Sequence, residues 1–234
     1  MGKTIDTIIF DLDGTLVDSQ PAALGATIEA LARFGVQVTA AQVREQFGGG
    51  ARKLLRYFLD RDLSLDKAGR AIDDAIHLRN ELQLSFTDRV VLLPQARQLL
   101  GLLKDSGYRL ALATMSARNV VDKVASYHGI KEYFDAVMTA DDVIHVKPDP
   151  EILTKTIDLL GGQVNRSLYV GDSGHDLEAA VRLGMPFLLV DTGIYVRGET
   201  RRSLRITAEE NGYPIVGLGE LLDISEIVRR LGPC

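Results

Sequence analysis

Ile8-Ile9-Phe10-Asp11-Leu12-Asp13-Gly14-Thr15 is the stretch on which the reading of this chain turns. An apolar run ends in two carboxylates at i and i+2, and a glycine then breaks the strand. Side chains two apart on a strand point to the same face, so Asp11 and Asp13 aim at one point in space. Two acids so placed, without a local counter-charge, repel each other, and burial raises a pKa unless a cation sits between them. The arrangement points to a magnesium site that also holds a nucleophile. Asp-Gly is also a common turn pair, so on its own the segment leaves a solvated turn open.

Working outward, residues 4–10 read as a strand. The following residues, to about Thr87, read as helix only. Leu24, Ile28, Leu31 and Phe34 recur at three- and four-residue spacing before Gly35, and further helices are expected over 39–47, 52–59 and 65–84. Gly48-Gly49-Gly50 forces a loop between two of them. Strands then alternate with helices: strands at 109–113, 136–138, 167–170 and 187–190, helices at 96–106, 120–128, 151–160 and 176–183. Near-continuous apolar strands separated by helices predict a parallel sheet covered on both faces. The helical block is then an insertion after the first strand, a lid-like second domain.

Composition fits this picture and narrows the function. The 234 residues are 46% hydrophobic and 25% charged, as expected for a globular chain with a real core. A net charge of −5 gives no reason to expect a nucleic-acid or membrane-surface partner. The single cysteine, Cys234, rules out an intrachain disulfide and a CxxC metal knuckle. Without a signal-peptide h-region or a membrane-length apolar window, a soluble cytoplasmic protein is the expectation.

In an open parallel sheet, ligands bind outside the carboxyl ends of the strands. Asp11 and Asp13 follow the first strand, and Thr114 and Ser116 follow the strand at 109–113. Lys147-Pro148 lies in the loop after the strand at 136–138, and Asp172 and Asp176 follow the strand at 167–170. Each has an ordinary explanation alone: a strand-end threonine, a solvated loop lysine, acids at a helix N-terminus. Those explanations do not account for the shared edge.

With these residues in place, the sequence resembles the haloacid dehalogenase superfamily in its phosphatase branch. The resemblance rests on Asp11-Leu12-Asp13-Gly14-Thr15-Leu16-Val17-Asp18-Ser19, Thr114, Lys147-Pro148-Asp149-Pro150 and Gly171-Asp172-Ser173-Gly174-His175-Asp176. It spans roughly residues 4–190 and looks most like the phosphoglycolate-phosphatase and β-phosphoglucomutase neighbourhood. It implies a Rossmann-like three-layer α/β/α core with a parallel sheet, over 1–16 and 88–234, plus a small α-helical cap inserted at 17–87. The activity implied is Mg²⁺-dependent hydrolysis of a small phosphorylated metabolite, with no nucleic-acid or membrane partner, by a monomer or homodimer.

The roles implied are specific. Asp11 attacks phosphorus and becomes an aspartyl-phosphate, while Asp13 protonates the leaving oxygen and later takes a proton from water. Thr114 hydrogen-bonds a non-bridging oxygen and Lys147 neutralises charge on the phosphoryl group and Asp11. Mg²⁺ is held by Asp11, Asp172 and the backbone carbonyl of Asp13, with Asp176 orienting Lys147 or a metal-bound water. The acid at Asp13 argues against a dehalogenase or a phosphonoacetaldehyde hydrolase. A sugar-phosphate mutase shares the same motifs and is the alternative, and a non-catalytic phosphometabolite sensor is the remote one.

The sequence departs from the family in two places. Thr114-Met115-Ser116 stands where Thr-Asn or Ser-Asn is frequent, and Pro94-Gln95 where Pro-Gly is frequent. For specificity, Gly48-Gly49-Gly50-Ala51-Arg52-Lys53 is the candidate loop, two cations suiting an anionic leaving group. A glycine-rich turn before a charged helix face is the competing reading. Gly49, Arg52, Lys53, Ser116, His175 and Ser19 are thus candidate substrate contacts, with His175 also readable as a surface histidine at a helix start. His77, His128 and His145 read as isolated. Arg197, Arg201, Arg202 and Arg205 read as an exposed helix, or as a subunit or substrate contact.

Overall fold

The computed structural model describes residues 5–46 and 50–231. The chain enters through β1 (Thr7–Phe10), all of it buried, as a strand with no polar face requires. A short antiparallel pair, β2 (Val17–Asp18) with β3 (Val91–Leu92), brackets the helices α1 (Gln20–Arg33), α2 (Ala40–Glu45), α3 (Gly50–Asp62) and α4 (Leu65–Ser85). The alternating part follows: α5 (Ala96–Asp105), β4 (Arg109–Ala113), α6 (Arg118–Tyr127), β5 (Ala136–Met138), α7 (Glu151–Leu160), β6 (Ser167–Gly171), α8 (Gly174–Leu183), β7 (Phe187–Asp191), α9 (Gly198–Glu210), β8 (Ile215–Gly217) and α10 (Asp223–Leu231).

Six strands form one parallel sheet in the order β5-β4-β1-β6-β7-β8. From β1 the chain builds outward through β4 to β5, then crosses to the other side of β1 for β6, β7 and β8. The order therefore reverses between β1 and β6, and a crevice opens at such a switch point at the carboxyl ends of the strands. Register brings those ends level: Phe10 pairs with Leu112 on one side and with Val170 on the other. On one face Ile9, Ala111, Tyr169 and Leu189 join a core with Ile152 and Leu153 of α7, Leu177 of α8 and Leu204 of α9. Full burial of each such leucine or isoleucine is worth about 1.5–3 kcal/mol. β2, β3 and β8 are new relative to the sequence reading. Each is only two or three residues long, too short for a periodic signal.

The chain divides into two compact units, one made of residues up to Asp18 and from Val91 onward, the other Ser19–Val90. In the second unit, helices α1 to α4 carry a core that includes Leu31, Val43, Leu55, Phe58, Leu59 and Ile72, all buried. Thr39 starts α2 with a capping box, its hydroxyl accepting from Gln42 N and its own N–H donating to the Gln42 side chain. In the first unit, the departure at Pro94-Gln95 has a backbone consequence: Gln95 sits at φ 68, in the left-handed region where glycine is at ease.

Candidate active site

The site is assembled from the carboxyl ends of β1, β4 and β6 and the loop before α7. Asp11 leaves β1 with its backbone N–H donating to Val170 O of β6 at 2.8 Å, which keeps the strand direction into the first acid. The chain then turns, Leu16 N–H donating to Leu12 O at 2.9 Å and Gly14 N–H to Val17 O at 2.7 Å. Gly14 has φ +86, and a Cβ there would lie 2.2 Å from an Asp172 carboxylate oxygen. Only a glycine lets the β1 turn and the β6 acid approach so closely. Gly171 serves the same purpose on β6, since a Cβ there would meet Asp176 Cβ at 2.6 Å.

Lys147 is at the centre. Its side chain is only 3% exposed, so the solvated-loop explanation is set aside. Its ammonium donates to Asp11 Oδ1 at 2.8 Å, Ala113 O at 2.8 Å and Asp176 Oδ1 at 2.9 Å, and contacts the Tyr169 hydroxyl. Asp176 is held from its other side: Ser173 Oγ donates to Oδ2 at 2.5 Å and Ser173 N–H at 3.1 Å. That is the capping box of α8, so one residue both starts the helix and binds the lysine. Ser116 Oγ donates to Asp13 Oδ2 at 2.5 Å, and Ser116 N–H donates to Thr114 Oγ1 at 3.2 Å. Thr114 is buried at the end of β4.

The charges do not balance. Asp11, Asp172 and Asp176 place carboxylate oxygens within 4.8 Å of one another, all three residues buried, and Asp13 lies two residues from Asp11. Burial raises the Asp11 carboxyl to about 7, opposed by Lys147 and assisted by Asp176 and Asp13. Burial also pushes Asp172 well above the usual carboxylate range, reinforced by Asp176, Asp11 and Asp13. Burial acts on Asp176 in the same direction, but Lys147, Ser173 and Tyr169 outweigh it and hold that acid low. Lys147 is raised above its ordinary value because Asp11 and Asp176 outweigh its own burial. One lysine cannot neutralise this group. A donor set of carboxylate oxygens with surplus negative charge suits a hard divalent cation such as Mg²⁺. Asp11 and Asp172 fit as ligands. Both oxygens of Asp176 are already engaged, Oδ1 by Lys147 and Oδ2 by Ser173.

Thus Asp11, Asp13, Thr114, Ser116, Lys147, Asp172 and Asp176 come together as one group. His175 is exposed in the first turn of α8. Ser19, buried, precedes α1, while Arg52 and Lys53 are exposed on α3, Arg52 pairing with Asp73 at 2.6 Å. All three belong to the helical unit. Gly48 and Gly49 of the candidate loop lie outside the described residues. The sequence reading missed Tyr169, which it took as strand core. The strand that carries it, Ser167–Gly171, is otherwise apolar except for its first residue, Ser167. His145 is not isolated either: Nδ1 lies 3.0 Å from Glu151 Oε2. That carboxylate also takes the Ile144 and His145 N–H groups and Lys155, so it clamps the start of α7.

A second buried acid lies at the same sheet edge. Asp191, ending β7, is bound by Arg201 Nε at 2.5 Å and by Arg205 at 2.5 Å. Burial opposes its ionisation, but the two arginines outweigh burial and hold it below its ordinary value. Arg197, Arg202 and Arg205 are exposed, as the exposed-helix reading expected, and Arg201 is half-buried. Two are tied to Asp191, Arg197 donates to Ile194 O at 3.0 Å, and Arg202 pairs with Glu199 at 3.1 Å.

Known proteins are similar to this chain in sequence and in fold. The sequence pattern of the haloacid dehalogenase-like hydrolases matches residues 8–190. The chain is 32% identical to a phosphoglycolate phosphatase of Vibrio vulnificus (strain YJ016) over 231 residues, covering 95% of this chain and 96% of the relative. In fold it is similar to CbbY from Rhodobacter sphaeroides solved in complex with phosphate, with a TM-score of 0.75 and 23% identity over 94% of this chain and 96% of that one. It is also similar in fold to a β-phosphoglucomutase from Clostridium difficile, with a TM-score of 0.72 and 19% identity over 97% of each chain. The chain belongs to the haloacid dehalogenase-like hydrolase family, and by class it is a phosphatase.

Proposed function

We propose that this chain hydrolyses a small phosphorylated metabolite, of the phosphoglycolate or sugar-phosphate kind, through an aspartyl-phosphate on Asp11. The observation that carries the reading is the buried contact of Lys147 with Asp11 at 2.8 Å, at the switch point between β1 and β6. Lys147 holds Oδ1 of Asp11, leaving the other oxygen for attack on phosphorus. Lys147 also offsets negative charge on the transferring group, and the Thr114 hydroxyl binds one of its non-bridging oxygens. Asp13 gives its proton to the leaving oxygen, then accepts one from the water that hydrolyses the acyl phosphate. Ser116, on Asp13 Oδ2, keeps that carboxylate turned in one direction. Asp11, Asp172 and the Asp13 backbone carbonyl would hold Mg²⁺, which when bound screens the carboxylates from the phosphate dianion.

Substrate choice is assigned to the helical insertion, residues 17–87, with Ser19, Gly49, Arg52 and Lys53 as the candidate contacts, and to His175 on the core. Phosphoglycolate leads because the Vibrio vulnificus relative bears that name over nearly its whole length. The working place is the cytoplasm. The test is phosphate release from a panel of phosphorylated metabolites with Mg²⁺, with EDTA, and with an Asp11→Asn variant. Release that needs Mg²⁺ and is lost in Asp11→Asn supports the proposal. Accumulation of a sugar bisphosphate would instead identify a mutase, and silence across the panel a sensor.

A further inference from the structure

Tyr169 contacts this site, and no motif accounts for it. It is fully buried on β6, its ring 6.0 Å from that of Phe187, in an apolar core with Ile9, Ala111 and Leu189. A hydroxyl in such a place is costly unless bonded, and this one is bonded on every side. It donates to Asp176 Oδ1 at 2.7 Å, lies 3.2 Å from Ala113 O, and touches the Lys147 ammonium. Burial and the acids around it keep the phenol protonated well above its ordinary range, so it stays a neutral donor.

We propose that Tyr169 is a positioning residue for the phosphoryl-transfer site: its hydroxyl bridges Lys147 and Asp176 and so holds the lysine ammonium on Asp11. An ammonium has three hydrogens, and here four oxygens surround it: Asp11 Oδ1, Ala113 O, Asp176 Oδ1 and the tyrosine hydroxyl. The hydroxyl takes one hydrogen from Lys147 and sends its own to Asp176 Oδ1, the nearer of its two acceptors. It thereby shares Asp176 Oδ1 with the lysine and fills the space into which the ammonium would otherwise slide, away from Asp11. Removing the hydroxyl leaves the aromatic packing on Phe187 in place but opens that space.

The catalytic part of the inference rests on the phosphatase reading, and the test separates the two. Tyr169→Phe is expected to lower kcat about tenfold, the scale of one buried hydrogen bond to a charged group, with KM nearly unchanged and the melting temperature close to that of the parent. In a Lys147→Arg background, or Lys147→Met if the arginine variant does not fold, the same substitution should cost nothing further, because the residue acts through the lysine. A kcat within twofold of the parent, or a loss that persists in full without Lys147, overturns the proposal. A second readout needs no turnover. In ¹⁵N-lysine-labelled protein the parent should show a slowly exchanging ammonium cross-peak, absent in the Lys147 variant. Tyr169→Phe should move it or speed its exchange about tenfold, the same bond read as a protection factor, whereas an unchanged peak overturns the positioning role. A protein that hydrolyses nothing yet shows this shift would sink the hydrolytic reading and leave the positioning intact.

Discussion

Two sets of buried carboxylates lie at the carboxyl edge of one sheet, and they are neutralised to opposite degrees. At β1 and β6, Asp11, Asp172 and Asp176 share Lys147. At the end of β7, Asp191 alone receives Arg201 and Arg205. The first set has too few cations: Lys147 holds Asp176 low, but Asp11 is pushed up to about 7 and Asp172 well above the ordinary range; the second has cations to spare and its acid is held down. Burying an unbalanced group is expensive and serves stability poorly. On the proposed function, surplus charge marks the place where a cation and a phosphate would be handled, whereas balance at Asp191 marks a clamp fastening α9 to the sheet.

The widest separation between the two sets should come from matched substitutions. Asp11→Asn is expected to lower phosphate release roughly 10⁶-fold, the scale of losing a nucleophile, while Asp191→Asn leaves it near the parent value in the same assay. A comparable loss from both would dissolve the distinction. Next in size, Gly14→Ala drives a methyl against the Asp172 carboxylate and also demands a positive φ. Calorimetric titration with Mg²⁺ should then show affinity weakened about 10–100-fold, as for other disturbed metal ligands.

The pH dependence of stability should have opposite signs at the two places. Without metal, Asp11 keeps its proton in the folded state from its ordinary value of 3.8 up to about 7, where the unfolded chain has lost it. Stability therefore falls as pH rises through that window, and Mg²⁺ should remove the slope. Asp191, held low, contributes fully above its ordinary value of 3.8 and loses that contribution as pH falls through its lower folded value. Melting curves of the parent, Asp11→Asn and Asp191→Asn over pH 3–8 would separate the slopes; removing Asp11 should reduce the upper one only, leaving the part that Asp172, also pushed up, contributes. Smallest is the direct cost of Asp191→Asn in denaturant unfolding, about 1 kcal/mol, because both arginines are nearly half exposed and solvent screens them.

How far the sequence could be read follows the same division. Asp11, Asp13, Thr114, Lys147, Asp172 and Asp176 were legible because each follows an apolar strand directly or through one loop, and a parallel sheet delivers such positions to one edge. The helices of the insertion were legible from periodicity, with boundaries shifted by a few residues. Asp191 was not, since an acid after an apolar strand looks the same whether two arginines ten and fourteen residues on reach back to it or not. Tyr169 was hidden for a related reason: its strand position says core, and only side-chain length takes its hydroxyl to Lys147. The restraint at Gln95 was visible only as a missing glycine after Pro94, without the φ that gives it meaning.

The central claim is that the unbalanced group performs covalent phosphoryl transfer on Asp11. Its most direct test is rapid acid quench during turnover with Mg²⁺, followed by mass spectrometry of the peptide that contains Asp11. The account predicts one added phosphoryl group on Asp11 in the parent and in Asp191→Asn, and none in Asp11→Asn. A phosphoryl group on any other residue, or turnover with no phosphorylated enzyme at any quench time, would contradict it.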